Sequence, residues 1–339
     1  MARVAASLAA VLAVSLALAA CGGDGAEPDA PEGAGATLVL DFQPNAVHAP
    51  LYWAQASGYF DDEGVDLDIR EPSTSADGAK LLQAGRADLA IMDVNDLGIA
   101  RERGAELVAV AAIVQRPLAS VIAGGPDRVR TPRDLDGATV GVSGVPSDDA
   151  VLDTVLESGG LSPDSVDRVT IGFNAVPAVA SGKVAAATAF WNAEGVQLAQ
   201  EGVPTQQFRV DELGAPRYPE LVVVARGDGV PAEREVVCRV LRGLGRSYIE
   251  LRGDPQPELE AMLEEVDGLD ADSQRGQFAE LVAGDAFSPS EGAEPDAALT
   301  KRGVAGWEEW ARERGLVSPQ ADLTDAFQPG AVRACAKAG

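Results

Sequence analysis

The sequence predicts an α/β protein of two lobes, with the second lobe inserted into the first. At roughly 150 residues per domain, its 339 residues suggest two domains. Short apolar strands alternate with helical segments, an order typical of parallel sheets joined by right-handed helical crossovers. The pattern changes near residues 124 and 218, which predicts lobe 1 at 37–123 and 219–339, lobe 2 at 124–218, and a hinge between them. Two consecutive domains are the alternative.

The elements of lobe 1 follow from apolar periodicity and helix punctuation. Residues 37–40 form a short apolar run that predicts a buried strand, and apolar and acidic residues alternate over 65–70, which predicts a strand with one solvent-exposed face. The segment between them is predicted to be helical, with Pro50 near its first turn and Gly58 near its end. Further strands are predicted at 88–92, 107–114 and 120–123, and further helices at 79–84 and 95–103.

Lobe 2 and the return to lobe 1 continue the alternation. Thr131 and Pro132 open a short helical turn, and Ser147 caps a helix that runs to Gly159. From residue 221 a single strand is followed by mostly helical sequence. The strands predicted in this half lie at 139–142, 169–173, 185–190, 207–210 and 221–225, and its C-terminal helices include 233–251 and 305–314.

Composition and charge exclude several classes of function. The 53 acidic residues against 27 Lys and Arg give a net charge of −26, which repels phosphate backbones, so we expect no nucleic-acid partner. One histidine and three cysteines cannot build a zinc site of several His and Cys ligands, and we expect no metal and no cofactor. Residues 141–145 approach a nucleophile elbow but end in Val145 where glycine is needed. We therefore expect a monomeric binding protein and not an enzyme.

The first 36 residues indicate export and a tether. An apolar run at 4–20 follows Arg3, as in a secretory signal peptide. The sequence Leu-Ala-Ala-Cys that ends at Cys21 resembles the lipobox of bacterial lipoproteins, which implies a signal peptide at 1–20 and a lipid on the Cys21 thiol. Residues 21–36, rich in Gly, Ala, Pro and acidic residues, predict a flexible tether. We expect a protein anchored at the outer face of the cell membrane; a signal peptide with an incidental cysteine is the alternative.

Export changes what the two remaining cysteines imply. In an oxidising compartment, Cys238 and Cys335 are expected to form a disulfide that fixes the C-terminal tail to the body of the protein. Two separate thiols are the alternative.

Seven short segments carry a family resemblance. They lie at 40–54, 58–60, 63–65, 82–90, 135–142, 180–184 and 190–195, and the most selective patterns among them are Pro-Asn-x-x-His and Trp-Asn-x-Glu. In order and spacing they resemble the solute-binding proteins of ABC importers in the thiamine-pyrimidine-precursor family, to which riboflavin-binding proteins are related. The resemblance implies a type II periplasmic-binding-protein fold and disfavours the eukaryotic enzymes of the family, whose cysteine-rich iron motif this chain lacks.

Two segments at the carboxyl ends of strands supply the candidate ligand contacts. We expect Phe42 to lie against a flat heteroaromatic ring, with Asn45 and His48 supplying hydrogen bonds. In lobe 2, Trp191 forms a second wall and Glu194 accepts from a ring amino group, unless it only stabilises a helix dipole. Core packing is the alternative for Phe42 and Trp191, and capping or core packing for His48. Further candidates of the same cleft are Asp93, Gln115, Ser143, Asn192 and Tyr218.

The resemblance implies a receptor that captures a thiamine pyrimidine precursor, or a similar small nitrogen heterocycle, by lobe closure and delivers it to an ABC permease. Phe42, Gln43 and Pro50 stand where the family commonly has Trp, Thr and Gly, which leaves a different heterocycle open as the ligand. Receptors for riboflavin, nitrate or sulfonate are alternatives of the same fold. An exported enzyme and a sensor coupled to a membrane kinase are alternatives of other classes.

Overall fold

The computed structural model describes residues 34–74, 77–125, 128–227 and 235–338. The predicted signal peptide, Cys21 and the tether up to residue 33 lie outside the described residues. The tether prediction extended too far, because the first strand begins at Ala34 and not at Thr37. Ala34 and Gly35 are exposed, and they join the strand through backbone pairing with residues 65 and 66, which apolar periodicity does not reveal.

Lobe 1 is built on a five-stranded sheet of order β2-β1-β3-β10-β4. Its strands are β1 (Ala34–Val39), β2 (Val65–Arg70), β3 (Leu89–Asp93), β4 (Leu107–Val114) and β10 (Leu221–Arg226). All eight residues of β4 are buried, as expected for a strand that is covered on both faces.

Lobe 2 is built on a second five-stranded sheet, of order β7-β6-β8-β5-β9. Its strands are β5 (Ala119–Gly124), β6 (Thr139–Val142), β7 (Asp167–Thr170), β8 (Ala186–Phe190) and β9 (Thr205–Arg209). With β5 in the place of β10, the two sheets have the same topology.

Both sheets are mixed, whereas the alternation of strands and helices predicted parallel sheets. In sheet 1, β10 runs antiparallel to β3 and β4, and in sheet 2, β5 runs antiparallel to β8 and β9. Each antiparallel strand directly follows a strand of the other lobe: β5 follows β4, and β10 follows β9. The chain therefore enters each sheet from the opposite lobe, and this reverses the direction of the entering strand.

The first crossing between the lobes lies at 115–118, earlier than the predicted position near residue 124. The strand β5, predicted at 120–123 as part of lobe 1, pairs with strands of the second sheet. β4 is a continuous apolar run and β5 is interrupted only by Ser120, so the sequence pattern did not distinguish the sheets to which they belong. The second crossing lies between β9 and β10, a segment that includes the predicted position 218.

The helices cover the faces of both sheets. In lobe 1 they are α1 (Ala49–Ala56), α2 (Tyr59–Asp62), α3 (Asp77–Gln83) and α4 (Val94–Glu102), and in lobe 2 they are α5 (Pro146–Ser158), α6 (Ala175–Ala180) and α7 (Glu194–Gln200). The C-terminal region adds α8 (Glu235–Glu250), α9 (Gln256–Glu265), α10 (Ala271–Ala283), α11 (Lys301–Glu313) and α12 (Ala331–Ala338). Among the described residues, no helix combines the length and apolar character needed to cross a membrane.

A disulfide joins Cys238 in α8 to Cys335 in α12, which confirms the predicted bridge. The two Cα atoms are 5.0 Å apart and the cysteines are separated by 97 residues along the chain. Closing a loop of that length stabilises the folded chain by about 4–5 kcal/mol in the chain-entropy model. The bridge therefore holds the last helix against the body of lobe 1.

Candidate functional site

A cavity of about 670 Å³ lies between the two lobes and is lined by residues from both. It opens at the carboxyl ends of parallel strands: Asp41 lies just beyond β1, Asp93 ends β3, Ser143 follows β6 and Phe190 ends β8. Ligands of open α/β sheets bind at this edge. We call this cavity the cleft.

The loop after β1 is held by hydrogen bonds within its own residues. The Asn45 side-chain Oδ1 accepts from the Val47 N–H at 3.2 Å, and the Asn45 N–H donates to His48 Nδ1 at 3.2 Å. With Nδ1 accepting, His48 Nε2 carries the proton and donates to Asp41 Oδ1 at 2.8 Å. His48 is fully buried and does not line the cleft, so it orients Asp41, which does. Periodicity gave Asp41 no separate signal, because it stands at the end of an apolar strand.

Two phenylalanines meet at the surface of the cleft. Phe42 of lobe 1 and Phe173 of lobe 2 have ring centroids 5.9 Å apart with an interplanar angle of 46°. They are 49% and 76% exposed, unusually open for phenylalanine. Phe42 therefore lies in the cleft as expected, whereas Phe173 was predicted as the last residue of a strand. The strand β7 ends at Thr170, so Phe173 belongs to the loop that follows it.

Asp148 provides a fixed carboxylate on the lobe 2 wall. One oxygen, Oδ2, accepts from the Ser143 hydroxyl at 2.7 Å and from the Gly144 and Val145 N–H groups at 2.7 and 3.1 Å. The other, Oδ1, accepts from the Thr188 hydroxyl at 2.7 Å. Ser143 lines the cleft as expected, and its hydroxyl is committed to Asp148. Sequence reasoning missed Asp148, because an acidic residue in the first turn of a helix is common for electrostatic reasons alone.

The Trp-Asn-x-Glu segment divides between the cleft and the hinge. Trp191 is fully buried and does not line the cleft; its Nε1 donates to the Pro117 carbonyl at 2.9 Å, and the Arg209 guanidinium lies 4.0 Å from its ring centroid. Its indole therefore packs at the crossing and forms no wall of the cleft. Asn192 and Glu194 do line the cleft.

Glu194 combines burial with a hydrogen bond from the backbone at the end of β8. Its Oε2 accepts from the Phe190 N–H at 2.9 Å, which fixes the carboxyl group at the start of α7. Burial raises the pKa of the Glu194 carboxyl above its ordinary value, and the backbone hydrogen bonds partly oppose this shift. The group can therefore accept hydrogen bonds when ionised and also donate one when protonated.

Asp93 and Glu220 meet at the floor of the cleft. Asp93 Oδ1 accepts from the Asn95 N–H at 2.7 Å and caps α4, while Glu220 Oε2 accepts from the Leu118 N–H at 2.9 Å in the first crossing. Burial raises the pKa of both carboxyl groups, and the charge of Glu220 raises that of Asp93 further. Like charges at such a buried site favour a single proton held between the two groups.

Gln115 and Tyr218 lie outside the cleft. Gln115 is buried, and its side-chain amide donates to the carbonyls of Asp296 at 2.6 Å and Ala298 at 2.9 Å. The Tyr218 ring is fully buried and stacks on Trp310 with centroids 5.4 Å apart. Both residues flank crossings and pack against the C-terminal region. Their positions at strand ends correctly predicted that both residues lie close to the cleft. The prediction that they line it was wrong, because their side chains pack away from the cavity.

The cleft is strongly acidic. Among the described residues that line it, none has a basic side chain, and nine have carboxyl groups. The nine are Asp41, Glu71, Asp93, Asp96, Asp148, Glu194, Glu220, Asp267 and Asp270. Such a lining repels anions and favours ligands that present N–H donors or carry positive charge.

The fold matches that of periplasmic solute-binding proteins. The aliphatic sulphonate-binding protein SsuA of Escherichia coli superposes with a TM-score of 0.70 over 88% of this chain and 99% of that one, at 13% identity. Identity at that level shows the shared fold alone. The protein thus has the two-lobe fold of periplasmic binding proteins.

A family model described as NMT1/THI5 like matches residues 45–258, and the chain belongs to that family. It is 32% identical over 231 residues to the formylaminopyrimidine-binding protein of Halalkalibacterium halodurans, covering 68% of this chain and 70% of that protein. It is also 24% identical over 230 residues to a 4-amino-5-hydroxymethyl-2-methylpyrimidine phosphate synthase of Saccharomyces cerevisiae, covering 65% and 67%. The relatives of this chain therefore include one named as a binding protein and one named as a synthase.

The Asp93–Glu220 pair predicts a pH-dependent stability. Burial raises the pKa of Glu220 to about 7, above its value in the unfolded chain. A carboxyl group raised in this way stabilises the fold at low pH, and this contribution is lost as the pH rises through about 7. We expect the free energy of unfolding to fall between about pH 5 and pH 8, and to fall less in Glu220→Gln, measured by urea unfolding.

Asp134→Asn is the control for that experiment. Hydrogen bonds from the Thr131 and Arg130 backbone lower the pKa of the Asp134 carboxyl, so its contribution changes only at lower pH. The control should keep the wild-type slope between pH 5 and pH 8. An unchanged slope in Glu220→Gln would show that the pair shares no proton in the folded protein.

Proposed function

We propose that this protein is an exported, lipid-anchored receptor of an ABC importer that captures a pyrimidine precursor of thiamine or a closely similar aminopyrimidine. The observation that carries the proposal is a cleft with nine carboxyl groups, no basic lining residue among those described, and two exposed phenylalanine rings. Carboxylates accept from ring amino groups, and phenylalanine faces bind flat heterocycles. The ligand named for the Halalkalibacterium relative has this chemistry.

Glu194 is proposed as the principal contact to the ring edge. A 4-aminopyrimidine presents an N–H donor beside a ring nitrogen acceptor. The ionised Glu194 carboxylate accepts a charge-assisted hydrogen bond from that amino N–H. Its fixed position at the start of α7 limits the entropy lost on binding. Asp41 and Asp148, each already oriented by hydrogen bonds, supply further acceptors.

We propose binding and transport without chemistry on the ligand. Two features support this choice over the synthase activity named for the yeast relative. The sole histidine, His48, uses both ring nitrogens in hydrogen bonds within the loop after β1. Two of the three cysteines are joined in the disulfide. The described residues that line the cleft therefore include no free imidazole or thiol for catalysis. Closure of the two lobes around the ligand would then signal occupancy to the permease.

Delivery to a membrane permease fits the predicted export and anchor. The Leu-Ala-Ala-Cys sequence ending at Cys21 would place a lipid on the cysteine, and 21–33 would link that lipid to the folded body. The anchor keeps the receptor beside its permease and raises the local concentration of captured ligand.

Isothermal titration calorimetry with a panel of ligands tests the function. We expect saturable binding of 4-amino-5-aminomethyl-2-methylpyrimidine and its N-formyl derivative, and no heat of binding from nitrate or methanesulfonate, because an acidic cleft repels both anions. Riboflavin belongs in the panel, since the cleft exceeds the size of one aminopyrimidine. Binding of an anion with no binding of any heterocycle would refute the ligand class.

Glu194→Gln tests the proposed contact at the ring edge. Glutamine can still accept from the Phe190 N–H, so the fold should be kept, but a charged acceptor becomes neutral. We expect the affinity for the aminomethyl pyrimidine to weaken by about 1–3 kcal/mol, measured by the same calorimetry. Glu201→Gln, an identical change at the exposed end of α7, is the control and should bind like wild type. Equal affinities in all three proteins would remove Glu194 from the site.

A further inference from the structure

The helix α10 connects the two walls of the cleft. On the lobe 1 side, Gln274 Oε1 accepts from the Ala46 N–H at 2.8 Å, in the loop after β1. On the lobe 2 side, Gln200 of α7 donates to the Asp272 carbonyl at 3.0 Å, and the Arg209 guanidinium lies 3.3 Å from the Glu280 carboxylate. The helix lies beyond the residues that match the family model.

Gln277 faces the cleft from this helix. It lines the cavity with 8% of its surface exposed, and its Nε2 donates to the Ser273 hydroxyl at 3.3 Å. Its carbonyl oxygen Oε1 is buried and has no hydrogen-bond partner within the described part of the chain. The side chain is therefore anchored by its nitrogen, while its oxygen is left without a donor.

Asn192 presents the same feature from lobe 2. It also lines the cavity, at 1% exposure, and its Oδ1 has no hydrogen-bond partner among the described residues. Buried carbonyl oxygens are nearly always hydrogen-bonded, and an unpaired one destabilises the protein. Other oxygens of the cleft, such as those of Asp148, receive donors from the protein itself. Two amide oxygens of the same cavity lack such donors. This indicates that a bound ligand supplies the N–H groups that they accept from.

We propose that Gln277 is a specificity-determining residue of the cleft, and that Gln277 and Asn192 each accept a hydrogen bond from a separate N–H group of the ligand. The inference rests on the proposed function and deepens it: the ligand must carry two N–H-bearing groups, such as a ring amine and an amine or amide on a side arm. It also makes α10 part of the binding site.

Gln277→Met and Asn192→Leu test the proposal with two pyrimidines that differ by one N–H-bearing group. The probes are 4-amino-5-aminomethyl-2-methylpyrimidine and 4-amino-2,5-dimethylpyrimidine. Each variant should bind the two-donor probe about tenfold more weakly than wild type, the effect of leaving one ligand donor unpaired. In one of the two variants, the lost acceptor is the partner of the donor group that the single-donor probe lacks. That variant should therefore bind the single-donor probe as wild type does.

A structural role for Gln277 predicts a different pattern. Methionine removes an unpaired buried oxygen, so ligand-free Gln277→Met should unfold at the wild-type temperature or above it, even though it binds more weakly. Gln277→Glu keeps an acceptor of the same shape and should retain binding of the two-donor probe. Gln83→Met, on the exposed face of α3, is the control for the substitution itself and should match wild type.

Three results would overturn the proposal. The first is wild-type affinity of Gln277→Met for the two-donor probe. The second is equally weakened binding of that probe in Gln277→Met and Gln277→Glu. The third is a lower unfolding temperature of Gln277→Met together with equally weakened binding of both probes. In each of these, binding of the probes to the wild-type protein leaves the proposed function in place. If the wild-type protein binds neither probe, both proposals fail.

Discussion

The cleft must hold many carboxyl groups close together without basic side chains, and much of the local structure meets that constraint. Asp148 is stabilised by four hydrogen bonds from hydroxyl and backbone donors. Asp41 is paired with a buried histidine. Asp93 and Glu220 lower their combined charge by taking up a proton more readily than ordinary carboxyl groups. The carboxyl groups that line the cavity would be stabilised further by the proposed ligand, which is rich in N–H donors.

The same groups are linked to the crossings about which the lobes would move. Glu220 accepts from the backbone of Leu118 in the first crossing. Arg116, two residues earlier, pairs with Asp211 of the second crossing at 2.6 Å and donates to the Gly284 carbonyl just beyond α10. Trp191 packs against the first crossing, and its neighbour Asn192 faces the cavity. Residues at the floor of the cleft therefore contact, or directly neighbour, the crossings that a closing motion would rearrange.

The sequence predicted the alternation of elements, the two lobes and the loops that border the cleft, because these depend on local patterns and on short motifs. It predicted the disulfide because export leaves Cys238 and Cys335 as the two cysteines of an oxidising compartment. It did not predict which side of the backbone a strand-end residue occupies. His48, Gln115, Trp191 and Tyr218 all lie beside the cleft but do not line it. His48 is held by residues of its own loop, whereas the partners of the other three come from distant segments. For the same reason Phe173, Asp148 and Gln277 were missed. In each case the position in the cleft depends on tertiary packing that no periodicity encodes.

A crystal structure of the protein with 4-amino-5-aminomethyl-2-methylpyrimidine tests the central claim most directly. The account predicts that the pyrimidine ring occupies the cleft between the lobes, with its amino group within hydrogen-bond distance of a carboxyl group and an N–H group beside Gln277 Oε1 or Asn192 Oδ1. A ring bound on an outer surface of either lobe, or a cleft that holds an anion in preference to the pyrimidine, would contradict it.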